Sequence, residues 1–278
     1  MEKLTLLSWN MKQKASNWQA VLESKVDAAL LQEAKAPPDE LKSKFIADRE
    51  GEWTETGLPW RAAVAGLAVS EKIEFMPIQT QTIGGNDPCA LMVSRPGSIA
   101  VGLMRIRETA EEIFIVSMYA HWVKPILQTK PNWIFADASA HRLISDLSGL
   151  IGSQKGHKII AAGDLNILYG YGEYGSLYWK QRYETVFERF KALGLCFIGP
   201  QAPEGGRQAD PWPDELPKES KNVPTFYSSR QNPQTASRQL DFVFASESIA
   251  DRVKVRALNG VEEWGSSDHC RIMIELGE

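Results

Sequence analysis

The stretch Lys158-Ile159-Ile160-Ala161-Ala162-Gly163-Asp164-Leu165-Asn166 decides how the rest of the chain is read. Residues 158–162 are short, apolar and partly β-branched, the pattern of a strand buried on both faces. A glycine follows, then an acid and an amide two residues apart. Alone, an Asp or Asn at a strand end is usually a turn residue.

The same pattern recurs outward from this stretch. Residues 4–8, 28–31, 113–118, 240–245 and 271–275 also read as buried strands, with 62–69 and 98–106 as weaker candidates. The first ends in Trp9-Asn10, the second in Gln32-Glu33 and the third in Tyr119-Ala120-His121. In the last two the order reverses: Asp241 opens 240–245, and Asp268-His269 precede 271–275. Polar residues therefore follow four strands and precede two. One rim can hold all these ends only if the last two strands run against some of the others, so the sheets must be mixed. Asn10, Glu33, Asp164, Asn166, Asp241, Asp268 and His269 would then share one site.

Helices are expected over 17–24, 140–151 and 183–193. Leu143, Ile144, Leu147, Leu150 and Ile151 keep helical spacing, and Gly194 supplies a C-terminal stop. Residues 199–224 carry six prolines and three glycines, which excludes a helix or a central strand. They read as a long loop and not a linker, because the strands after Thr225 have no core of their own. The expectation is one catalytic domain over residues 1–278.

Composition narrows the function classes. No stretch approaches the roughly 20 apolar residues of a membrane span, and the first residues lack a signal-peptide pattern. Cys89, Cys196 and Cys270 form no CxxC pair, which argues against a disulfide framework or a zinc site and for a reducing cytoplasm. The net charge of −4 counts mildly against a tight DNA-binding protein but allows an enzyme with a metal ion in an acidic cleft. Nothing in the sequence points to a membrane or to an obligate protein partner.

The clustered residue types suit particular chemistry. Carboxylates and amide oxygens without cysteine favour a hard cation, Mg²⁺ or Mn²⁺. Close carboxylates repel one another unless a cation lies among them. A histidine beside an aspartate is oriented for proton transfer or for contact with a transition state. Together these suit phosphoryl transfer to water.

The same residues resemble the endonuclease/exonuclease/phosphatase superfamily, in its exonuclease III-like branch. The motifs that carry the likeness are Ser8-Trp9-Asn10, Leu31-Gln32-Glu33, Met118-Tyr119, Gly163-Asp164-Leu165-Asn166, Leu240-Asp241-Phe242 and Ser267-Asp268-His269, in order almost end to end. The resemblance implies an α/β fold, a four-layered sandwich of two face-to-face mixed β-sheets flanked by helices. It implies that Glu33 binds the metal with Asn10 close by, and that Asp268 supports the metal or the histidine. Asp164 would activate or orient water, Asn166 would hold the phosphate, and Asp241 would pair with His269, which contacts the scissile phosphate. Tyr119 matches a position that touches the phosphate or leaving group, with His121 as a second choice; His141 and His157 look incidental.

The superfamily also covers RNA nucleases, inositol phosphatases and sphingomyelinases, and fold alone does not choose among them. The segments Thr225-Phe226-Tyr227-Ser228-Ser229-Arg230 and Arg238-Gln239-Leu240-Asp241 resemble the DNA enzymes, so DNA leads, with RNA, small phosphate esters or a silent binding module as alternatives. Phe226 and Leu240 match the abasic-site pocket of DNA-repair members. Arg238 replaces a tryptophan there and could grip a phosphate instead. Tyr169, Tyr171, Tyr174, Tyr178 and Trp179, followed by Lys180 and Arg182, read equally well as a base-stacking surface or as a packed loop. The tip Gly205-Gly206-Arg207 reads as solvated.

Overall fold

Alternating burial along β1 (Leu4–Asn10) shows how the layers arise. Leu4 and Leu6 enter one hydrophobic core, while Leu7 and Trp9 enter another on the opposite face. β2 (Ala28–Ala34) repeats the split, with Ala28 and Leu30 on one face and Ala29 and Leu31 on the other. Period-2 side-chain geometry makes a strand that is apolar on both faces a divider between two cores. The structure, a computed structural model, describes residues 3–47, 53, 59–127 and 134–277.

Two six-stranded mixed sheets result. The first has the order β13 (Val253–Leu258), β14 (Arg271–Leu276), β1, β2, β4 (Arg61–Leu67), β3 (Phe45–Ala47). The second has the order β11 (Leu195–Gly199), β12 (Asp241–Ser246), β10 (Ile159–Asp164), β9 (Glu112–Tyr119), β8 (Ile99–Ile106), β5 (Ile73–Ile78). A separate parallel pair joins β6 (Thr80–Thr82) to β7 (Leu91–Val93). Each large sheet has one parallel pair at its centre, β1 with β2 and β9 with β10, and antiparallel neighbours elsewhere. As the reversed motifs require, β14 runs against β1 and β12 against β10.

The central core lies between the sheets, where Leu6, Leu30 and Val64 meet Ile115, Ile160 and Val243. The outer face of the second sheet is covered by the helices Ala136–Leu147 and Leu177–Ala192 through Leu143, Ile144, Trp179, Val186 and Phe190. The outer face of the first is covered by the helix Asn17–Glu23 through Trp18 and Val21. This is the expected four-layered α/β sandwich. One polar group crosses the central core: Gln32 Nε2 donates to Ser117 Oγ at 2.9 Å, and that hydroxyl donates to the Leu31 carbonyl at 2.6 Å. These bonds tie the two sheets together just behind the motif-bearing rim.

Some elements differ from expectation. The helix expected over 183–193 begins at Leu177, and the one expected over 140–151 spans Ala136–Leu147 with a 3₁₀ turn after it. Residues 200–224 carry no strand or helix, yet Ala202 and Val223 enter the central core and Gln239 bonds to the loop at both Pro200 and Val223. The tip at 205–207 is not solvated. Ala257 of β13 donates to the Gly205 carbonyl at 2.8 Å, and Asn259 brackets Arg207 by accepting from its N–H and donating to its carbonyl.

Candidate active site

The strand ends named from the sequence meet on one rim. Asp164 closes β10 opposite Asp241 at the start of β12, and opposite Tyr119 at the end of β9. Gly163 allows this turn: its φ is 155°, and a Cβ there would collide with the Met118 carbonyl. In β2 the ladder with β4 shifts register between Leu31 and Ala34, and Glu33 takes φ 46°. Such a bulge re-aims a side chain. Of the seven described non-glycine residues with positive φ, five belong to this region: Lys12, Gln13, Glu33, Asn166 and Tyr174. Left-handed backbone at side-chain-bearing residues costs roughly 1–2 kcal/mol each, and such strain concentrates at functional sites.

Short loops fix the remaining groups. Ser267 Oγ donates to the Asn10 carbonyl at 2.7 Å, and Trp9 Nε1 donates to the His269 carbonyl at 3.0 Å. Segment 225–227 lies between the last two motifs: Cys270 N bonds to Thr225 O, Tyr227 N to Asp268 O and Phe226 N to Arg238 O. Thr225 Oγ1 accepts from the backbone N–H groups of both Leu240 and Asp241.

The side chains form a connected network. Asn10 Nδ2 donates to Glu33 Oε1 at 3.3 Å and to Asp164 Oδ2 at 3.1 Å. Tyr119 donates its hydroxyl proton to Glu33 at 3.0 Å, and Gln13 donates to the other Glu33 oxygen at 3.2 Å. Asp164 accepts from the Asn166 backbone at 2.9 Å and from its side chain at 3.2 Å. His269 Nδ1 lies 2.8 Å from Asp241 Oδ2, and its Nε2 lies 3.8 Å from Asp164 Oδ2.

Protonation follows from this arrangement. Burial works against the His269 imidazolium, but the Asp241 and Asp164 carboxylates outweigh it and hold the ring well above its ordinary pKa. Burial raises Asp164, His269 opposes the rise, and Asp241 reinforces it. Burial, then Asp164 and Glu33, hold the Tyr119 phenol far above its usual value, so it stays a donor.

Of the residues named from the sequence, Glu33, Tyr119, Asp164, Asn166, Asp268, His269 and Arg238 line a single cavity. Phe226 and Leu240 line it as well, and Asn10 and Asp241 are hydrogen-bonded to members of the group. His121 is placed differently: it is buried, stacked on Trp60 with ring centroids 5.4 Å apart, and edge-to-face with Tyr119 at a centroid distance of 4.7 Å. Arg238 is held by Glu173 in a two-pronged ion pair of 3.1 and 2.6 Å. The tyrosine-rich segment divides: Tyr169, Tyr171 and Trp179 pack into the outer core, whereas Tyr174 and Tyr178 are exposed. Lys180 pairs with Glu184, and Arg182 pairs with Asp137.

Four residues of the site escape the sequence reading, among them Gln13, which donates to Glu33. Lys12 makes a 2.9 Å ion pair with Asp268, Trp122 donates to Asn166 Oδ1 at 3.0 Å, and Glu173 holds Arg238. Lys12 and Trp122 follow motif residues by two and three positions, a spacing with no chemical signature of its own. Glu173 is visible only once the fold brings it across the cavity.

The donor set fits a hard divalent cation. Oxygen ligands dominate, no thiolate is present, and Lys12 neutralises only one of the carboxylates Glu33, Asp164, Asp241 and Asp268. Glu33 is held by the neutral donors Asn10, Gln13 and Tyr119, with no ion pair to a lysine or arginine among the described residues. Asp164, Asp241 and His269 also place one ligand atom each within 4.8 Å of the others. The hydrogen bond between Asp241 and His269 commits those two to each other, which leaves the Glu33 side as the better-suited metal position.

No protein-family model matches the chain, and no curated protein matches it in sequence. Solved structures match it in fold. The AP endonuclease LMAP from Leishmania major superposes with a TM-score of 0.61 at 17% identity, over 99% of this chain and 88% of that one. The APE2 catalytic domain from Xenopus laevis gives 0.61 at 14% identity, over 99% and 94%. An endonuclease/exonuclease/phosphatase family protein from Bacteroides thetaiotaomicron gives 0.54 at 15% identity, over 99% and 97%. The class is therefore a four-layered α/β sandwich with an acidic rim. More particularly, the fold is that of the endonuclease/exonuclease/phosphatase superfamily, in agreement with the motif resemblance.

Proposed function

We propose that this protein is a divalent-metal-dependent phosphodiester hydrolase, acting on nucleic acid and first of all on DNA, and that residues 1–278 form one catalytic domain. The observation that carries the reading is the continuous network from Glu33 through Asn10 and Asp164 to His269 and Asp241 at the rim of this fold. The names of the fold neighbours, an AP endonuclease and APE2, support the substrate class. Among the described residues no helix is long and apolar enough to cross a membrane. Cys89, Cys196 and Cys270 are unpaired, which suits a reducing cytoplasm.

Glu33, with Asn10 and Asp268 beside it, would hold Mg²⁺ or Mn²⁺. When bound, such an ion polarises a phosphoryl oxygen and offsets developing charge. Asp164 orients the attacking water and receives its proton. Asn166 holds a phosphate oxygen. His269, kept cationic and oriented by Asp241, stabilises charge on the scissile phosphate. Tyr119, a phenol that stays protonated, donates a hydrogen bond to the phosphate or leaving group. His121, the second choice after Tyr119 for contact with the substrate, supports that ring by packing.

The test uses purified protein with Mg²⁺ or Mn²⁺ on single-stranded DNA, duplex DNA, duplex with one abasic site, RNA, an inositol phosphate and a generic phosphodiester. Metal-dependent cleavage of a nucleic acid, lost in Glu33→Ala and His269→Ala with folding intact, is the expected result. Cleavage confined to the small esters would overturn the substrate. Full activity in both variants would overturn the site.

A further inference from the structure

The cavity in front of His269 is larger and more aromatic than phosphate chemistry requires. It encloses about 530 Å³, inside the roughly 300–1,000 Å³ range of sites that bury a small organic group. Beside the acids its lining carries the aromatic and apolar surface of Trp122, Tyr174, Trp179, Phe226 and Leu240. A hydrated, charged phosphodiester backbone gains little from such a wall, whereas a flat heteroaromatic ring gains stacking.

Among these residues sits the Arg238–Glu173 fork, with side chains 40% and 23% exposed. Because each charge neutralises the other, Arg238 is not a bare phosphate grip. A guanidinium has five N–H groups, and the fork engages two of its nitrogens, leaving donors on Arg238 beside carboxylate lone pairs on Glu173. Adjacent donors and acceptors complement the edge of a nucleobase.

The aromatic lining is fastened to the proposed reaction centre at two points. Phe226 forms backbone bridges to Arg238 and to His269, and its ring lies 4.9 Å from the imidazole. Trp122 is bonded to Asn166. Tyr174 is 87% exposed with φ 54° and ψ 32°, an aromatic ring set at the mouth on strained backbone.

We propose that this cavity is a nucleobase subsite: it takes one unstacked base of the substrate beside the scissile phosphate, stacked on the aromatic wall and read along its edge by the Arg238–Glu173 pair. The inference rests on the nucleic-acid hydrolase reading for its substrate class. The deciding experiment is calorimetry in EDTA, where turnover cannot contribute, with the four 2′-deoxynucleoside 5′-monophosphates and with 2-deoxyribose 5-phosphate. At least one nucleotide should bind tenfold or more tightly than the sugar phosphate. Trp122→Ala should remove most of that advantage, Trp122→Phe should keep it, and Glu173→Gln should change the ranking of the bases. Equal binding of the sugar phosphate and every nucleotide overturns the subsite, as does nucleotide binding untouched in both Trp122→Ala and Glu173→Gln. Nucleotide binding without cleavage of any substrate would keep the subsite and discard the hydrolase. Cleavage without base-dependent binding would do the reverse.

Discussion

Asp241 and His269 stand 28 residues apart in sequence and share a buried hydrogen bond of 2.8 Å from carboxylate to Nδ1. Asp241 opens β12 in one sheet, and His269 precedes β14 in the other, so the bond spans the interface between the sheets. The carboxylate also contributes to holding the imidazole protonated. Asp241→Asn keeps the shape and removes the charge. Its turnover number should fall by about a hundredfold to ten-thousandfold, the scale of positioned acid–base groups, with little change in KM. The double variant Asp241→Asn/His269→Ala should lose little beyond His269→Ala alone, because the two act as a unit. Additive losses in steady-state kinetics would break the pairing.

Glu33 accepts three hydrogen bonds from neutral donors in a crowded acidic rim. Mg²⁺ should therefore raise the melting temperature of the wild type, since a ligand that binds only the native state stabilises it. Glu33→Gln should melt at or above the wild-type temperature without metal, because like-charge repulsion is relieved. Its response to Mg²⁺ should be largely lost. An undiminished Mg²⁺ shift in Glu33→Gln would move the metal elsewhere.

His121 is buried against Trp60 and Tyr119, and burial, with help from Arg95, pushes it down to about 3. Its folded value thus lies below the unfolded value near 6.5. Between the two, the unfolded chain binds a proton that the native chain refuses. Stability is complete above about pH 6.5 and declines as the pH falls towards the folded value. Replacing the ring with His121→Phe should flatten the acid limb of stability between pH 6 and 4, by up to about 1.4 kcal/mol per pH unit. Urea unfolding across that range reads the slope, and an unchanged slope would assign the acid sensitivity to other groups.

Gly163 sits where a side chain would meet the Met118 carbonyl, at φ 155°. Gly163→Ala must shift β9 from β10 and tilt Asp164, so it should cost roughly 1–3 kcal/mol and reduce turnover more than stability alone explains. Denaturant unfolding and kinetics on the same preparation separate the two effects. Wild-type turnover would show that the rim tolerates the shift.

Phe190 lies on Phe244 with ring centroids 3.8 Å apart and planes 14° from parallel, and both are fully buried. Phe190→Ala should cost about 3–5 kcal/mol in urea unfolding and leave the metal response of the folded protein intact, since this contact lies in the outer core and not on the rim.

The central strands and the rim were legible in the chain itself. β1, β2, β9, β10 and β12 are buried along nearly their whole length, and β14 alternates buried Ile272, Ile274 and Leu276 with half-buried residues, so local composition and period mark them, and the reversed order of the last two motifs already demanded mixed sheets. The strands that escaped are of another kind. β3, β5, β11 and β13 are the four sheet edges, and β6 and β7 form their own small pair. Edge strands carry charges, proline or few residues, as Lys254, Arg256 and Pro77 do here, and these blur the pattern that marks a buried strand.

The site divides the same way. Sequence alone determined which acids, amides and histidine gather at the rim, because each borders a recognisable strand. Only the tertiary structure decided what each partner does to its neighbour. It paired Arg238 with Glu173, set Lys12 on Asp268, packed His121 away from the cavity and placed Trp122 on Asn166. Those relations join residues as much as 256 positions apart, and no local periodicity encodes a contact between segments so distant in the chain.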